Sequence, residues 1–241
     1  MENKQRRTRR TNEQIENEID EAIKRLVEEK GFIDFPVTTI FNEAGVDPNA
    51  FYRRYKGLPE IYNEIARKYD FWVNDSIRVS DLAVIGDEEF MKQTLNNLYK
   101  HINENKIMQK LLLWELTEVN STTQHTAQLR DTLNHTLLSY YNNSLSKSGL
   151  NTNCIFAILI AGIYYLILQR GIATFCLIDF SSEQGEKILE ETIGQIVDML
   201  YQKQEQSIKQ RETIEKMLAD RISKKKICHY LNLSMEDLKD F

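Results

Sequence analysis

The stretch PVTTIFNEAGVDPNAFYRRYK, from Pro36 to Lys56, decides how the rest of this 241-residue chain is interpreted. In its first half the apolar residues recur at helical spacing, which predicts a short helix with one apolar stripe: Val37, Ile40, Phe41 and Ala44. Pro36 suits the first turn of that helix. Gly45 follows directly, and glycine commonly ends a helix because it tolerates a positive φ. We therefore expect a short helix that stops in a tight turn.

The second half of the stretch predicts another short helix. Asp47 can cap it, with Pro48 at its first position. Phe51 and Tyr55 are four residues apart and share the buried face. The polar residues then point outward or lie on the flanks: Asn49, Tyr52, Arg53, Arg54 and Lys56, with Ala50 beside them. The two halves predict a helix–turn–helix. The alternative is any corner of two helices with a solvated basic face.

The chemistry of the outward face favours DNA. Asn can pair bidentately with adenine and Arg with guanine, whereas Lys and the Tyr hydroxyl suit phosphate oxygens. A helix that carries all four residue types can read a major groove.

Pro36 to Lys56 resembles the DNA-binding domain of the TetR family of bacterial transcriptional regulators. The likeness covers roughly the first sixty residues and rests on Val37, Ile40, Ala44-Gly45-Val46, Phe51-Tyr52-Arg53, Tyr55 and Lys56. The sequence departs from the family at Phe41, where a small residue is usual, and at Gly57-Leu58-Pro59, where polar residues usually open the next helix. The resemblance implies an all-α fold, in which a three-helix DNA-binding domain precedes a larger helical domain for ligand binding and dimerisation.

Composition agrees with a helical protein whose charge is unevenly distributed. Hydrophobic residues make up 41%, with only nine Gly and three Pro, which favours helices over sheets. The net charge is −5, yet residues 1–11 carry five basic side chains and a single acidic one, Glu2. We expect this basic arm to order on DNA, or to remain a solvated tail.

Three scattered cysteines and the absence of an apolar leader predict a protein of the reducing cytoplasm.

The chain divides by pattern into a basic arm (1–11), a helix–turn–helix domain (12–58), a helical regulatory and dimerisation domain (59–203) and a helical C-terminal extension (204–241). Further helices are predicted over 12–30, 59–80, 87–103, 105–118, 124–147, 154–168 and 182–203. Residues 154–168 carry no charge but are short for a membrane span. We expect this helix to be buried on every side, in a core or between two copies of the chain. The resemblance implies that the last two helices of the regulatory domain pair across a homodimer.

Aromatic and acidic residues of the middle helices predict an effector pocket. The candidate lining is Tyr99, Trp114, Glu115, Glu118, Tyr140, Tyr141 and Tyr164. Each aromatic residue alone is also explained by core packing. As a set they favour a small-molecule effector, since a buried phenol needs a partner. A carboxylate facing the pocket would favour a cationic or amine-bearing ligand.

No enzyme or metal motif is found. The sequence has neither a Gly-rich phosphate loop nor a G-x-S-x-G nucleophile motif. The four histidines lack ligand spacing, although His101, His125, His135 and Glu115 could meet in space. We expect no cofactor and no enzymatic activity.

The segment SKKKICHYLNLSMEDLKDF, from Ser223 to Phe241, forms a second small pattern. Ser223 can cap a short helix, and Ser234 with Asp237 forms a capping box for a last turn. This pattern resembles a truncated helix–turn–helix. It either packs on the body of the protein, or docks a partner or extends a dimer.

The expected function is therefore a ligand-responsive repressor that acts as a homodimer on a near-palindromic operator, with recognition helices about 34–36 Å apart. Base edges would be contacted from the second motif helix by Asn49, Ala50, Arg53 and Arg54. Its start at Pro48 would approach the groove, and phosphates would be held by Thr38, Thr39, Tyr52 and Lys56. The alternative is a co-regulator that keeps the fold but binds a protein partner through residues 204–241.

Overall fold

A computed structural model describes residues 10–32, 36–69, 85–239 and 241. Within these residues the regular structure is helical, apart from an isolated bridge between Phe175 and Ile178. The helices are α1 (Asn12–Lys30), α2 (Val37–Ala44), α3 (Pro48–Tyr52), α4 (Leu58–Tyr69), α5 (Asp87–Glu104), α6 (Lys106–Thr117), α7 (Ser121–Ser144), α8 (Thr152–Gln169), α9 (Glu183–Ala219) and α10 (Lys224–Leu231). A single 3-10 turn, Glu236–Leu238, follows.

Helices α1 to α3 form the head. The capping box predicted at the start of α1 is confirmed, because Thr11 and Gln14 each accept a backbone N–H bond from the other. Gly31 closes α1 by donating its N–H to Val27 at 2.8 Å. The buried face of α1 packs on α2 and the turn through its apolar stripe: Ile19, Ile23, Leu26 and Val27. The predicted basic arm lies outside the described residues except for Arg10 and Thr11.

Helices α5 to α8 and the first part of α9 form the body, and α4 joins it to the head. α4 is described only to Tyr69, so the rest of the predicted connecting helix and the break after it lie outside the described residues. The core is continuous from head to body, since Phe32 after α1 stacks on Trp114 of α6 with ring centroids 5.0 Å apart. Tyr62 of α4 meets the same indole edge-on at 5.3 Å. These ring contacts join the head directly to the body.

Polar side chains tie α5, α7 and α9 together at the N-terminal end of α5. Asp87 is the first helical residue of α5 and follows Gly86. Its carboxylate accepts from the Tyr140 hydroxyl and, at 2.6 Å, from Ser144. The Ser144 hydroxyl also lies 3.2 Å from that of Tyr201. These bonds join residues over fifty positions apart in sequence.

The C-terminal module (residues 214–241) has its own small core. Ile214, Ile227 and Leu238 are buried together, apart from the main core. α9 runs without interruption from the body into this module, so the predicted boundary at 203/204 lies inside one helix. Arg211 lies over the ring of Phe241 at 4.8 Å and closes the module against α9.

Candidate nucleic-acid interface and effector cleft

The turn between α2 and α3 has helix–turn–helix geometry. Gly45 is left-handed at φ 60°, as the sequence predicts. Val46, buried in the turn, donates its N–H to the Phe41 carbonyl at 2.9 Å. Asp47 then caps α3 by accepting from the Asn49 N–H at 2.8 Å. The bulky Phe41 is accommodated because its ring meets Phe51 edge-on, with centroids 6.0 Å apart.

Helix α3 ends at Tyr52, earlier than its sequence pattern suggests, but helical hydrogen bonding continues one turn further. The Tyr55 N–H donates to the Phe51 carbonyl at 3.1 Å. Phe51 and Tyr55 are buried at 0% and 4% exposure, so the predicted inner face is confirmed. Because these two residues point into the core, the opposite face of α3 points to the solvent.

Most of the predicted DNA-contacting residues lie on that outer face. The exposed ones are Thr38, Pro48, Asn49, Tyr52, Arg53 and Lys56, and Thr39 is half-buried. The Arg53 Nε donates to the Asn49 carbonyl at 3.2 Å, which holds its guanidinium alongside α3. Together these residues present amide, phenol, guanidinium and ammonium groups on one surface.

Two of the predicted base contacts differ from expectation. Ala50 is only 7% exposed, so its methyl group belongs to the core and offers no surface to a base. Arg54 is half-buried, and its Nη2 donates to the Asn12 carbonyl at 2.6 Å. This bond ties α3 to the start of α1. Both residues sit on the flank of a helical wheel, where spacing does not decide between core and solvent.

Arg10 holds the turn from the side of α1, a role that sequence reasoning missed. Its Nη1 donates to the Gly45 carbonyl at 2.9 Å and to Glu18 at 2.7 Å. A basic residue just before the Thr11 cap gave no sequence signal for this role, since the turn is thirty-five positions away. The guanidinium fixes the left-handed corner of the motif to α1.

The seven residues predicted to line one effector pocket do not share a cavity. Glu115 forms an ion pair with Arg130, with N–O distances of 2.9 and 3.0 Å, and accepts from Thr126 at 2.6 Å. Glu118 accepts from the Trp114 indole at 2.9 Å. The Glu115 carboxylate is therefore neutralised by an arginine within the protein, whereas Glu118 is exposed and lines none of the larger clefts of the described residues.

The predicted tyrosines on α5 and α7 are engaged within the protein. Tyr141 is fully buried, lies 3.0 Å from the Thr94 hydroxyl and stacks on Phe156. Tyr140 donates to the Asp87 carboxylate. Burial, followed by the charge of Glu186, raises the pKa of Tyr99. The hydroxyl groups of these tyrosines therefore interact with side chains of neighbouring helices.

Tyr164 alone of the seven lines a sizeable opening, an open cleft of about 560 Å³ between α7 and α8. Its other polar lining residues were not predicted: Arg130, Asp131, Asn134, His135, Ser139, Asn142 and Asn153. The Asn134 Oδ1 is buried and has no hydrogen-bond partner among the described residues. Apolar walls come from Phe156 and Ile160. The cleft thus combines apolar area with an unsatisfied polar group.

Helix α8 is not buried on every side within the single chain, so the predicted burial in a core is wrong and the predicted burial between two copies of the chain stays a prediction. Only a narrow stripe faces the rest of the chain, chiefly Phe156, Ile163 and Ile167, while Ile158 is 67% and Tyr165 52% exposed. Apolar exposure continues into the following loop, where Leu177 is 96% exposed. By length and composition alone α8 could also cross a membrane.

Titratable residues do not assemble into a metal site in the part of the chain that the structure describes. No three His, Cys, Asp or Glu side chains come together there in a group that could hold a metal ion. Glu115, which might have joined the distant histidines, is instead bound to Arg130.

No protein-family model and no curated protein matches the sequence. Solved structures do match its fold. One is described as a transcriptional regulator of the TetR family from Vibrio parahaemolyticus, with a TM-score of 0.54, 14% identity, and coverage of 75% of this chain and 97% of that one. The fatty acid degradation regulator FadR from Bacillus halodurans matches with a TM-score of 0.53 and 17% identity, over 76% of this chain and 97% of that one. Salmonella enterica GusR matches with a TM-score of 0.55 and 12% identity, over 77% of this chain and 94% of that one.

These likenesses confirm the predicted fold: the chain has the all-α architecture of TetR-family regulators, with an N-terminal helix–turn–helix and a helical C-terminal domain. Each neighbour is matched over almost its whole length, whereas about a quarter of this chain has no counterpart in it.

Proposed function

We propose that the protein is a sequence-specific DNA-binding transcriptional regulator that acts as a homodimer and responds to a small molecule. One observation carries this proposal above the others. Asn49, Tyr52, Arg53 and Lys56 project from a surface whose inner residues, Phe51 and Tyr55, are locked in the core. Side chains held in this way can meet base edges and phosphates without first being ordered. The fold shared with known regulators supports the same function.

Within this surface the roles follow from chemistry and position. Asn49 and Arg53 would read bases, while Thr38, Thr39, Tyr52 and Lys56 would hold phosphates and Pro48 would start the helix at the groove. Arg54 would act as a brace between α3 and α1. Ala50 would support the helix from within the core.

A homodimer would explain the exposed apolar surface of α8. Ile158, Tyr165 and Leu177 are large apolar side chains exposed on α8 and the loop that follows it, and exposed apolar surface of this kind marks an interaction site when it is contiguous. A second copy packed on α8 and the adjoining face of α9 would bury it in a self-complementary interface. Light scattering of the purified chain should give twice its mass, and Ile158→Glu should give a monomer. A monomeric wild-type protein would contradict this part of the proposal. A dimeric protein of this kind would work in the cytoplasm.

The effector would bind in the cleft between α7 and α8. The signal would reach the head through α6 and α4, because Trp114 stacks on Phe32 and meets Tyr62. An effector can shift head spacing only by as much as its affinity differs between the two states. Asn134→Leu should abolish the thermal stabilisation given by any effector found in a ligand screen, whereas His125→Gln, outside the cleft, should keep it.

Selection from a random duplex library at physiological salt tests the central claim. A dimeric regulator should enrich a two-fold symmetric motif whose half-sites are one helical turn apart. Arg53→Ala should lose the enriched positions. Recovery of DNA without any sequence preference would overturn the proposal and favour a co-regulator that works through a protein partner.

A further inference from the structure

The C-terminal module repeats the backbone plan of the N-terminal helix–turn–helix. Residue n of the first motif corresponds to residue n + 187 of the second, as Val37 corresponds to Lys224. α2 and α10 both have eight residues, and each ends in a left-handed residue, Gly45 at φ 60° and Asn232 at φ 52°. The first helix and the corner that ends it therefore match residue for residue, although the second motif continues as a 3-10 turn rather than an α-helix.

The hydrogen bonds of the two turns also correspond. The Leu233 N–H donates to the Cys228 carbonyl at 2.9 Å, at the positions and distance of the bond from Val46 to Phe41. Ser234 caps the last turn by accepting from the Asp237 N–H at 3.3 Å, and its own N–H donates to the Asp237 carboxylate at 2.8 Å. The module thus has a complete turn of this type.

Buried residues correspond as well. Ile40 and Ile227 are both fully buried, and so are Phe51 and Leu238. The first pair anchors the first helix of each motif, and the second pair anchors the helical turn that follows. The outward positions are therefore comparable one by one.

Basic residues cluster at the start of the second motif. Lys225 and Lys226 occupy the places of Thr38 and Thr39, the side chains proposed to hold phosphates in the head. Both lysines and the nearby Arg221 are exposed, and none lies within ion-pair distance of a carboxylate among the described residues. On α9 three cations each pair with a glutamate one turn away, Lys187, Lys209 and Arg211, whereas the exposed Lys203 and Lys216 are in no ion pair among the described residues. What distinguishes Arg221, Lys225 and Lys226 is that three cations without ion-pair partners fall within six residues, which gives this part of the module a locally basic surface.

The last turn of the module lacks groups that read bases. Glu236 and Asp237 stand where Asn49 and Ala50 stand in the head, and Lys239 pairs with Glu236. Carboxylates at these positions oppose entry into a major groove, whose edges and flanking phosphates are electronegative. A contact made by this motif is therefore confined to the phosphate backbone.

The module and the head join the body at opposite ends of α7. The head packs on Trp114, and the adjacent Glu115 accepts from Thr126 near the start of α7. α9 leaves the body at the other end of α7, where Gln204 donates to the Ser144 carbonyl at 2.6 Å. The helix between Thr126 and Ser144 is about 27 Å long. The head and the module therefore lie towards opposite ends of α7.

We propose that Arg221, Lys225 and Lys226 form a second, sequence-independent binding site for the phosphate backbone of double-stranded DNA. The head would select the operator, and the module would hold another segment of duplex. Such a site adds affinity that depends on salt but not on sequence.

The test uses the full chain with the head disabled by Arg53→Ala and Lys56→Ala, and a random duplex as the probe. Fluorescence anisotropy over a salt series should detect residual binding in this background. Adding Lys225→Gln and Lys226→Gln should raise Kd at least tenfold and lower the log–log salt slope by about 0.9 for each phosphate that is no longer neutralised. Lys225→Arg with Lys226→Arg should keep the binding.

A matched control separates a local site from a general effect of charge. Lys187→Gln with Lys203→Gln removes two exposed lysines of α9 and should leave the anisotropy curves unchanged. Equal losses in the control and module variants, or no binding in the head-disabled background, would overturn the proposal and leave the module as a surface for a protein partner. Because the head is disabled throughout, failure here is distinguishable from failure of the proposed operator binding.

Discussion

Gly45 and Asn232 occupy the same left-handed corner in two motifs of one chain, yet the exposed side chains around the two corners differ in charge and in hydrogen-bonding groups. Around Gly45 the outward positions present Asn49 and Arg53; around Asn232 they present Glu236 and, two positions before the corner, the exposed Tyr230. The backbone of such a motif needs only a left-handed residue, an apolar turn residue, a cap and two buried anchors. What it binds is decided elsewhere, by residues that the fold leaves free to vary.

The largest expected difference between the motifs is energetic. Phe51→Ala removes a ring from the main core and should lower the free energy of unfolding by about 3–5 kcal/mol. Leu238→Ala removes the corresponding anchor from a core of three buried residues, so its effect should stay local. Urea unfolding followed by circular dichroism should show a shifted main transition only for Phe51→Ala, and limited proteolysis should cut only the module of Leu238→Ala. An equal shift of the main transition in both variants would show that the module is not a separate unit.

The next difference is in base reading. Arg53→Ala should weaken binding to a selected operator by about 1–3 kcal/mol and relax preference at particular base pairs. Arg54→Ala should mainly reduce stability, because it removes the bond to the Asn12 carbonyl. Glu236→Ala should leave sequence preference unchanged. The measurement is the affinity of each variant for the operator and for operators with single-base changes. A loss of base preference in Arg54→Ala alone would show that Arg54, and not Arg53, reads bases.

Substitution at the corners sharpens the comparison of the two backbones. Gly45→Ala places a β-carbon on a left-handed residue, which costs about 1–2 kcal/mol. Gly45→Asn should cost less, because Asn adopts this conformation in the second motif and more generally. Asn232→Gly should be close to neutral. Denaturation midpoints measure all three, and equal losses for Ala and Asn at position 45 would contradict this explanation.

The smallest effect concerns a single phosphate contact. Lys56→Ala should weaken binding to operator and random duplex alike and reduce the salt slope by about one. Thr39→Val, which removes a half-buried hydroxyl without a charge, should leave the slope unchanged. A loss restricted to the operator would assign Lys56 to base reading instead.

Local patterns in the sequence were sufficient to predict most of the helices and some of their caps. Thr11 with Gln14, Gly45 before Val46, and Ser234 with Asp237 each act within a few residues, so the sequence contains the whole interaction. The inner face of α3 was predictable for the same reason. Ala50 and Arg54 were not, since a residue on the flank of a short helix is assigned by its distant neighbours.

The lining of a cleft could not be predicted, because it depends on contacts between distant helices. Glu115 and Tyr140 have the chemistry of ligand-binding residues, but Arg130 and Asp87 engage them first. The cleft that is present is lined by asparagines of α7 and α8, which have no distinctive spacing. The sequence could not decide between a core and a contact surface for α8, since an uncharged helix is equally consistent with both.

The unbroken course of α9 has a mechanical consequence. Ser207 is the last α9 residue hydrogen-bonded to the body, through the Ser148 carbonyl at 3.3 Å. Beyond it α9 runs on for twelve residues, about 18 Å, to Ala219. The module packs on this stretch through Arg211 and Ile214. By geometry alone, a tilt of about 10° in α9 at Ser207 would displace the end of this stretch by roughly 3 Å and carry the module with it.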